Sequence, residues 1–246
     1  MSYFNPPSFA VRTDRDEQMD DFSIDDQRLT DALQQLRIVN QYLSGYSTTM
    51  SLLKPYLRSR THTRILDVGT GIADFPERIV RWADRHLPEH QLEVVAIDAN
   101  PVTVAYARQT LQERLPSNLA ARIRVETADA LALPYADRSF DMAIGAMFLH
   151  HFAHERATEI VRSMQRVSRD GILINDLHRH PLAYYGIYAL THILPAAPMV
   201  RHDAPISVLR GFRSPELESI AQAANLPDFS IQWRFPFRWL LTTVKY

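Results

Sequence analysis

The chain has 246 residues, of which 46% are hydrophobic and 22% are charged, with 27 basic against 28 acidic side chains. This length fits one large domain with appendages, and the balanced charge argues against a nucleic-acid-binding surface, which needs a basic excess. Cysteine is absent, which excludes disulfides, thiolate metal sites and cysteine nucleophiles.

The N-terminal quarter of the chain is predicted to be a tail followed by two helices. Residues 1–22 are polar and highly charged, so we expect them to be loose. They lack the basic and apolar regions of a secretory signal, which indicates a cytoplasmic protein. Within residues 23–60, apolar positions recur at helical spacing from Asp25 to Leu43 and from about Thr48 to Arg58. These helices form either a cap over the ligand side of the domain or a cover for an edge of its core.

From residue 61 to residue 246, predicted strands alternate with helices, which is typical of a mainly parallel α/β sheet. The predicted strands lie at residues 65–68, 92–97, 123–127, 140–145, 171–175, 231–233 and 239–244. The last two are close enough to pair antiparallel around Pro236. We therefore predict a Rossmann-like, seven-stranded, mostly parallel sheet with an antiparallel terminal hairpin, helices on both faces and an N-terminal helical cap.

The alternation lapses at about residues 178–213, which we interpret as an insertion that forms a substrate lid. The run from Leu182 to Val200 carries no Asp, Glu, Lys or Arg and is nearly long enough to cross a bilayer. Pro195 and Pro198 interrupt it, so we expect no transmembrane span and instead a buried or pocket-lining helix.

A strand, a glycine turn and a helix follow one another in the stretch RILDVGTGIADFP, from Arg64 to Pro76. Such a turn brings backbone close to a nucleotide-like ligand at the carboxyl end of a strand. The dinucleotide fingerprint G-x-G-x-x-G would place Gly or Ala at position 74, where this chain has Asp74. An ordinary strand-to-helix turn is the alternative at this point.

The same stretch resembles motif I, D-x-G-x-G, of the class I S-adenosylmethionine-dependent methyltransferases, with Asp67, Gly69 and Gly71 in the motif positions. Ala73 stands where many members carry a further glycine. The segment from Leu133 to Asp141 resembles the region before the family's fourth strand, and the antiparallel ending is also typical of the family. The likeness is to small-molecule methyltransferases of bacteria related to the ubiquinone- and menaquinone-biosynthesis enzymes.

The resemblance implies S-adenosylmethionine as cofactor and S-adenosylhomocysteine as product. A carboxylate at the end of the second strand can accept both hydrogens of a ribose diol, which favours Asp98 for that role. The resemblance implies that Asp129 meets the adenine amino group and that Asp67 helps to order the methionine end. The predicted cofactor-binding residues are Asp67, Gly69, Thr70, Gly71, Asp98, Ala99, Asn100, Asp129, Ala130 and Ala146. The alternative for the acids is helix capping or loop solubility.

Methyl transfer requires alignment and, for an alcohol or phenol acceptor, a base. His150 and His151 follow the fourth predicted strand and Asp176 follows the fifth, so a histidine and an orienting carboxylate would converge on one crevice. We predict these three as catalytic residues; the alternative is that the histidines only begin the next helix. His178 and His180 show no recognised ligand spacing, so we predict no metal site.

The predicted activity is O-methylation of a hydrophobic phenolic or polyketide-derived small molecule of secondary metabolism. An apolar insertion with a few polar groups suits such a ligand, and the run from Asn175 to Tyr185 resembles bacterial enzymes that act on such compounds. The alternatives are C- or N-methylation of a quinol-like or other small molecule, a nicotinamide-dependent oxidoreductase, and a non-catalytic nucleotide-binding relative. The expected partner is thus an aromatic small molecule and not a nucleic acid, and the chain is compatible with a monomer or a homodimer.

Overall fold

A computed structural model describes residues 7–24, 26–42 and 45–245 of the chain, and its centre is a single β-sheet. The strands are β1 (His62–Val68), β2 (Gln91–Asp98), β3 (Ile123–Thr127), β4 (Phe140–Ala146), β5 (Ser168–Leu177), β6 (Ser230–Arg234) and β7 (Arg238–Thr242). The α-helices of the described ranges are α1 (Gln27–Tyr42), α2 (Gly45–Arg58), α3 (Asp74–His86), α4 (Pro101–Arg114), α5 (Ser117–Ala120), α6 (His154–Val167), α7 (Pro181–Ile193), α8 (Pro198–Arg210) and α9 (Ser214–Ala223).

The seven strands are arranged in the order β3-β2-β1-β4-β5-β7-β6. The first five run parallel, as shown by the pairing of Leu66 with Val95, whereas β7 runs antiparallel to both β5 and β6. The inner strands are short apolar runs because both of their faces are covered by helices. This topology confirms the predicted mostly parallel sheet with an antiparallel terminal hairpin.

Helices cover both faces of the sheet, as the sequence predicts. One face packs against α2, α3, α4 and α5 through buried side chains that include Leu53, Ile79 and Val104. The other face packs against α6 and α9, where Ile160 and Leu217 are buried. Each helix contributes one apolar stripe to its layer, and this is the pattern from which the helices are predicted.

The two N-terminal helices lie in different places. The sequence leaves open a cap over the ligand side or a cover for the core, and each of these positions is taken by one helix. α1 packs on the ligand side, where Ala32 joins Ile187 and Val200 in a small apolar cluster. α2 covers the sheet instead, and the carbonyl of its Gly45 accepts a hydrogen bond from Asn175 Nδ2 at 2.6 Å. The predicted helix ends at Asp25 and Leu43 lie outside the described residues.

The tail that the sequence suggests is loose is held firmly where the structure describes it, from residue 7 onward. Arg12 Nε donates to the carbonyl of Arg210 at 2.6 Å. The carboxylate of Asp203 accepts from the backbone N–H groups of Gln18 and Met19, at 2.8 and 3.1 Å. Hydrogen bonds to α8 therefore hold a polar segment that has little apolar surface of its own. We call residues 12–24 the N-terminal strap.

The insertion after β5 contains α7 and α8, but α7 is neither the buried nor the pocket-lining helix that its composition suggests. α8 faces the ligand side and buries Met199 and Val200. α7 packs outside α8 and leaves Leu182 and Ile193 exposed, at 66% and 80% of their surface. No helix within the described ranges is long and apolar enough to cross a membrane.

Candidate active site

The glycine turn after β1 forms the floor of the site. Thr70 N donates to the carbonyl of Ile97 at 2.9 Å, which ties the turn to β2. Gly69 and Gly71 have φ of +70° and +54°, a region that side chains with a Cβ rarely adopt. A Cβ on Gly69 would overlap the ring of Phe148, whereas one on Gly71 would meet open space. The backbone at Gly71 therefore borders a cavity, as expected of a turn that receives a ligand.

Asp98 at the end of β2 links the glycine turn to the start of α4. Its Oδ2 accepts from Gly71 N and its Oδ1 from Asn100 N, both at 3.0 Å. Burial raises the pKa of Asp98, and these two hydrogen bonds work against that rise. Each carboxylate oxygen can accept a further hydrogen bond, so Asp98 can bind both hydroxyl groups of a diol while it keeps its bonds to the backbone.

Asp67 is the most deeply buried of the predicted cofactor-binding acids, with only 2% of its surface exposed. Burial raises its pKa to about 7, and the charges of Asp74 and Asp98 add to the rise, whereas the neighbouring Thr70 hydroxyl lowers it. A cation placed beside such a carboxyl in a crevice would stabilise its ionised form.

A cavity of about 460 Å³ brings the predicted cofactor residues together. Its lining includes all ten of them: Asp67, Gly69, Thr70, Gly71, Asp98, Ala99, Asn100, Asp129, Ala130 and Ala146. Asp129 is exposed and also caps a short 3-10 helix by accepting from Leu131 N at 2.9 Å. For this acid, the capping and cofactor interpretations are compatible.

His150 and Asp176 form a buried dyad where β4 and β5 end. His150 Nδ1 lies 2.7 Å from Asp176 Oδ1, and the backbone N–H of His150 donates to Oδ2 at 3.1 Å. Burial works to raise the pKa of Asp176, but the adjacent His150 outweighs it, so the pKa is lowered. An ionised Asp176 fixes the proton of His150 on Nδ1 and leaves Nε2 as a lone-pair acceptor. Asp176 itself stands behind His150 and outside the lining of the cavity.

His151 has a different environment from its neighbour. Its Nδ1 lies 2.8 Å from Asp20 Oδ1 and 3.8 Å from Glu17 Oε1. Burial works to lower the pKa of His151, but Glu17 and Asp20 together outweigh it and the pKa is raised. The two adjacent histidines are therefore not equivalent, because His150 is oriented by the sheet and His151 by the N-terminal strap.

Sequence reasoning missed the contribution of the N-terminal strap to this site. Glu17 is 2% exposed and lines the cavity; its Oε2 accepts from Ser207 Oγ at 2.6 Å. Arg210 donates to Asp20 Oδ2 at 2.7 Å and to the backbone carbonyl of His151. The only sequence feature that pointed to this contribution was the cluster of polar residues in the second half of the insertion at about residues 178–213. The strap itself shows neither periodicity nor a motif.

The remaining wall of the cavity is apolar and comes from the strap, α1, α8 and the segment after β4. Its apolar residues include Met19, Phe22, Leu29, Ala32, Leu33, Phe148, Phe152, Met199, Val200 and Ala204. An apolar chamber with a few convergent polar groups at one end is the usual form of a small-molecule site.

His178 and His180, which the sequence places near the same strand end, lie outside the lining of this cavity. His178 Nδ1 accepts from Trp233 Nε1 at 3.2 Å, and burial is the main cause that lowers its pKa to about 4. His180 caps α7 by accepting from Leu182 N at 3.2 Å and stacks on Phe237. His178 thus contacts the terminal hairpin, and His180 contacts both that hairpin and the start of α7.

Comparison with known proteins agrees with this arrangement. The family described as "Methyltransferase domain" matches residues 65–171. The "Demethylmenaquinone methyltransferase" of Deinococcus radiodurans is 32% identical over 183 residues, which cover 70% of this chain and 69% of the relative. The protein of the same description from Roseiflexus sp. is 31% identical over 195 residues, with 74% of each chain covered. The chain belongs to the class I S-adenosylmethionine-dependent methyltransferases.

Solved structures of methyltransferases share the fold. An O-methyltransferase family protein from Burkholderia thailandensis superposes with a TM-score of 0.64 at 17% identity, covering 93% of this chain and 63% of that one. The magnesium protoporphyrin IX methyltransferase of Synechocystis PCC 6803, with bound S-adenosylhomocysteine, has a TM-score of 0.55 at 16% identity, covering 85% and 87%. The family assignment decides against a nicotinamide-dependent oxidoreductase.

The cofactor of this methyltransferase is S-adenosylmethionine, and the residues present fit it. A carboxylate with spare acceptor capacity suits a ribose diol, and a buried carboxyl of raised pKa suits an ammonium group. Asp98 and Asp67 have these properties, and both line the cavity. The family assignment makes the chain a methyltransferase enzyme.

Proposed function

We propose that this methyltransferase O-methylates a hydrophobic, phenolic or polyketide-derived small molecule. The observation that carries the proposal is the His150–Asp176 pair, 2.7 Å apart, with His150 lining the cavity beside the apolar residues of the strap, α1 and α8. A phenol combines an apolar ring with one acidic hydroxyl, which matches that combination of walls.

On this proposal, the cofactor residues are those predicted: Asp98 binds the ribose, Asp129 the adenine, and Asp67 the amino-acid end. S-adenosylmethionine supplies the methyl group, so that the acceptor oxygen forms the new O–C bond as the C–S bond breaks and its electron pair stays on sulfur. His150, oriented by Asp176, promotes the loss of the acceptor's proton. Glu17 and His151 lie beside His150, while α1 and α8 exclude water.

A second candidate is C-methylation of a quinol-like ring, because the two bacterial relatives are named after demethylmenaquinone, a quinone. It uses the same histidine, because a ring carbon becomes nucleophilic when a neighbouring hydroxyl loses its proton. The two candidates therefore predict the same residues and differ only in the atom that receives the methyl group.

The experiment is a titration with S-adenosylhomocysteine, followed by a labelled-methyl screen of phenols, resorcinols and quinols that carry apolar tails. We expect saturable binding of S-adenosylhomocysteine and label transfer to at least one phenol, with an O-methyl signal in the NMR spectrum of the product. A C-methyl product would select the second candidate. Binding without transfer to any of these compounds would contradict both.

A further inference from the structure

The proposed mechanism leaves one buried polar atom of the site unexplained. Glu17 Oε1 has no hydrogen-bond partner among the described residues, although it is shielded from solvent. His151 Nδ1 beside it is also buried and is paired with Asp20 Oδ1 at 2.8 Å. An unpartnered carboxylate oxygen in a protein interior is costly, so Glu17 Oε1 indicates a missing partner.

These atoms converge with a third. Glu17 Oε1 lies 3.7 Å from His150 Nε2 and 3.8 Å from His151 Nδ1, and the three residues offer ligand atoms that all lie within 4.8 Å of one another. Ligands that each bind one ion at about 2.0–2.2 Å, as imidazole and carboxylate do, are separated from one another by distances of this order. We propose that Glu17, His150 and His151 form a binding site for a divalent transition-metal ion.

The surrounding hydrogen bonds prepare His150 as a ligand. Because Asp176 holds the proton on Nδ1, the Nε2 lone pair faces Glu17. A metal-bound histidine commonly has such a carboxylate behind it. Asp20, at 2.8 Å from His151 Nδ1, is within reach of the same ion as a further oxygen ligand. Two imidazoles with one or two carboxylates suit zinc, manganese, iron or cobalt better than magnesium or calcium, which prefer oxygen ligands.

Arg210 is the competing cation in this cluster. Its Nη1 lies 3.8 Å from Glu17 Oε1, but its hydrogens are directed to Asp20 Oδ2 and to the carbonyl groups of His150 and His151. It therefore stabilises the loop that carries both histidines and leaves Glu17 Oε1 without a donor. An ion between the three ligands would be the partner that Arg210 does not provide.

The consequence for catalysis rests on the proposed O-methylation. The three ligands line the cavity, so an ion held by them would face the acceptor with an open coordination position. It would polarise the acceptor hydroxyl and lower its pKa, and the released proton would pass to solvent on the side where Asp20 is 31% exposed. The histidines would then act through the ion. The ion would also link the N-terminal strap to the segment after β4, since Glu17 belongs to the first and His150 to the second.

The test is a titration of the chelator-treated full-length protein with Co²⁺, whose visible absorption reports nitrogen and oxygen ligation. We expect one ion per chain in the wild type and binding weakened at least about tenfold in Glu17→Gln and in His151→Gln. Unchanged circular dichroism and affinity for S-adenosylhomocysteine would show that both variants are folded. His180→Asn, in a histidine pair outside the cavity with ring centroids 5.2 Å apart, is the control and should bind Co²⁺ normally.

Several outcomes would overturn the metal site: no saturable binding of Co²⁺, binding that ignores Glu17→Gln, or binding lost in His180→Asn instead. A methyltransferase that stays fully active on phenols after chelation would remove the catalytic role and leave the proposed O-methylation intact. Conversely, Co²⁺ binding that depends on Glu17, in a protein that methylates no phenol, would keep the site and reject the proposed function.

Discussion

The two ends of the cavity are built in different ways. The proposed cofactor end consists of residues within a few positions of three neighbouring strand tips, at Asp67, Asp98 and Asp129, and each is placed by its own strand. The acceptor end combines His150, after β4, with Glu17 from a segment more than a hundred residues away. The first end is thus specified by local sequence and the second by tertiary packing, and mutations should affect the two ends separately.

The largest expected effect separates chemistry from cofactor binding. His150→Ala should lower turnover of the acceptor by about 10²–10⁴-fold, because the group that promotes proton loss is removed. Its affinity for S-adenosylhomocysteine should stay within about twofold, since the cofactor end does not use this side chain. The measurements are steady-state kinetics and calorimetry, with the exposed His86→Ala as a control that should match the wild type. A variant that loses cofactor affinity as well would show that the two ends are not separate.

The next effect concerns the cofactor end. Asp98→Ala removes the acceptor of the Gly71 and Asn100 N–H groups together with the proposed ribose contacts. We expect weaker binding of S-adenosylhomocysteine by about 1.5–3 kcal/mol, or roughly 10–150-fold, as for hydrogen bonds to a charged group. Asp129→Ala is the matched comparison and should cost less than about tenfold, because Asp129 is exposed. Equal affinities in Asp98→Ala and wild type would reject the ribose assignment.

The same contrast explains what could be predicted from the sequence. The alternation of strands and helices and the turn at Gly69 and Gly71 depend on periodicity and backbone geometry, which a sequence displays directly, and both are found in the structure. The sequence also predicted that His150 or His151 would lie near Asp176, because neighbouring parallel strands end at the same edge of a sheet, and the structure shows that His150 is the partner.

The position of the N-terminal strap could not be predicted, because it depends on partners that are remote in the chain. Glu17 lies in a polar run of the kind that is usually solvated, and it is buried where Ser207 on α8 donates to its Oε2 and Asp203 accepts from the backbone that follows. The composition of α7 was misleading for a related reason, since an apolar helix is not necessarily the one that faces the ligand. α8, with less apolar surface, has that role.

A pH titration would sharpen the account of the cofactor end. Asp67 has a pKa of about 7 in the protein, above its ordinary value of 3.8, so the free enzyme gains a proton there as the pH falls below 7. The ionised form is the one that attracts the cofactor's ammonium group, so affinity should fall with falling pH, by up to about tenfold per unit below pH 7. Calorimetry with S-adenosylhomocysteine between pH 5 and 8 measures this. Asp67→Asn should flatten the profile; a profile that keeps its slope in this variant would assign the proton to another group.

The smallest expected effect tests whether the N-terminal strap belongs only to the acceptor end. Asp203→Asn keeps the shape of the side chain but replaces one carboxylate oxygen by an amide, so that Gln18 N or Met19 N loses its acceptor. We expect the closed strap to lose about 1 kcal/mol, seen as a rise of roughly fivefold in KM for the acceptor. Affinity for S-adenosylhomocysteine should not change, nor should either parameter in Asp137→Asn, which loses only an exposed ion pair with Arg166. If Asp203→Asn weakens cofactor binding as much as acceptor binding, the strap closes over the whole cavity, and the division into two independent ends is incorrect.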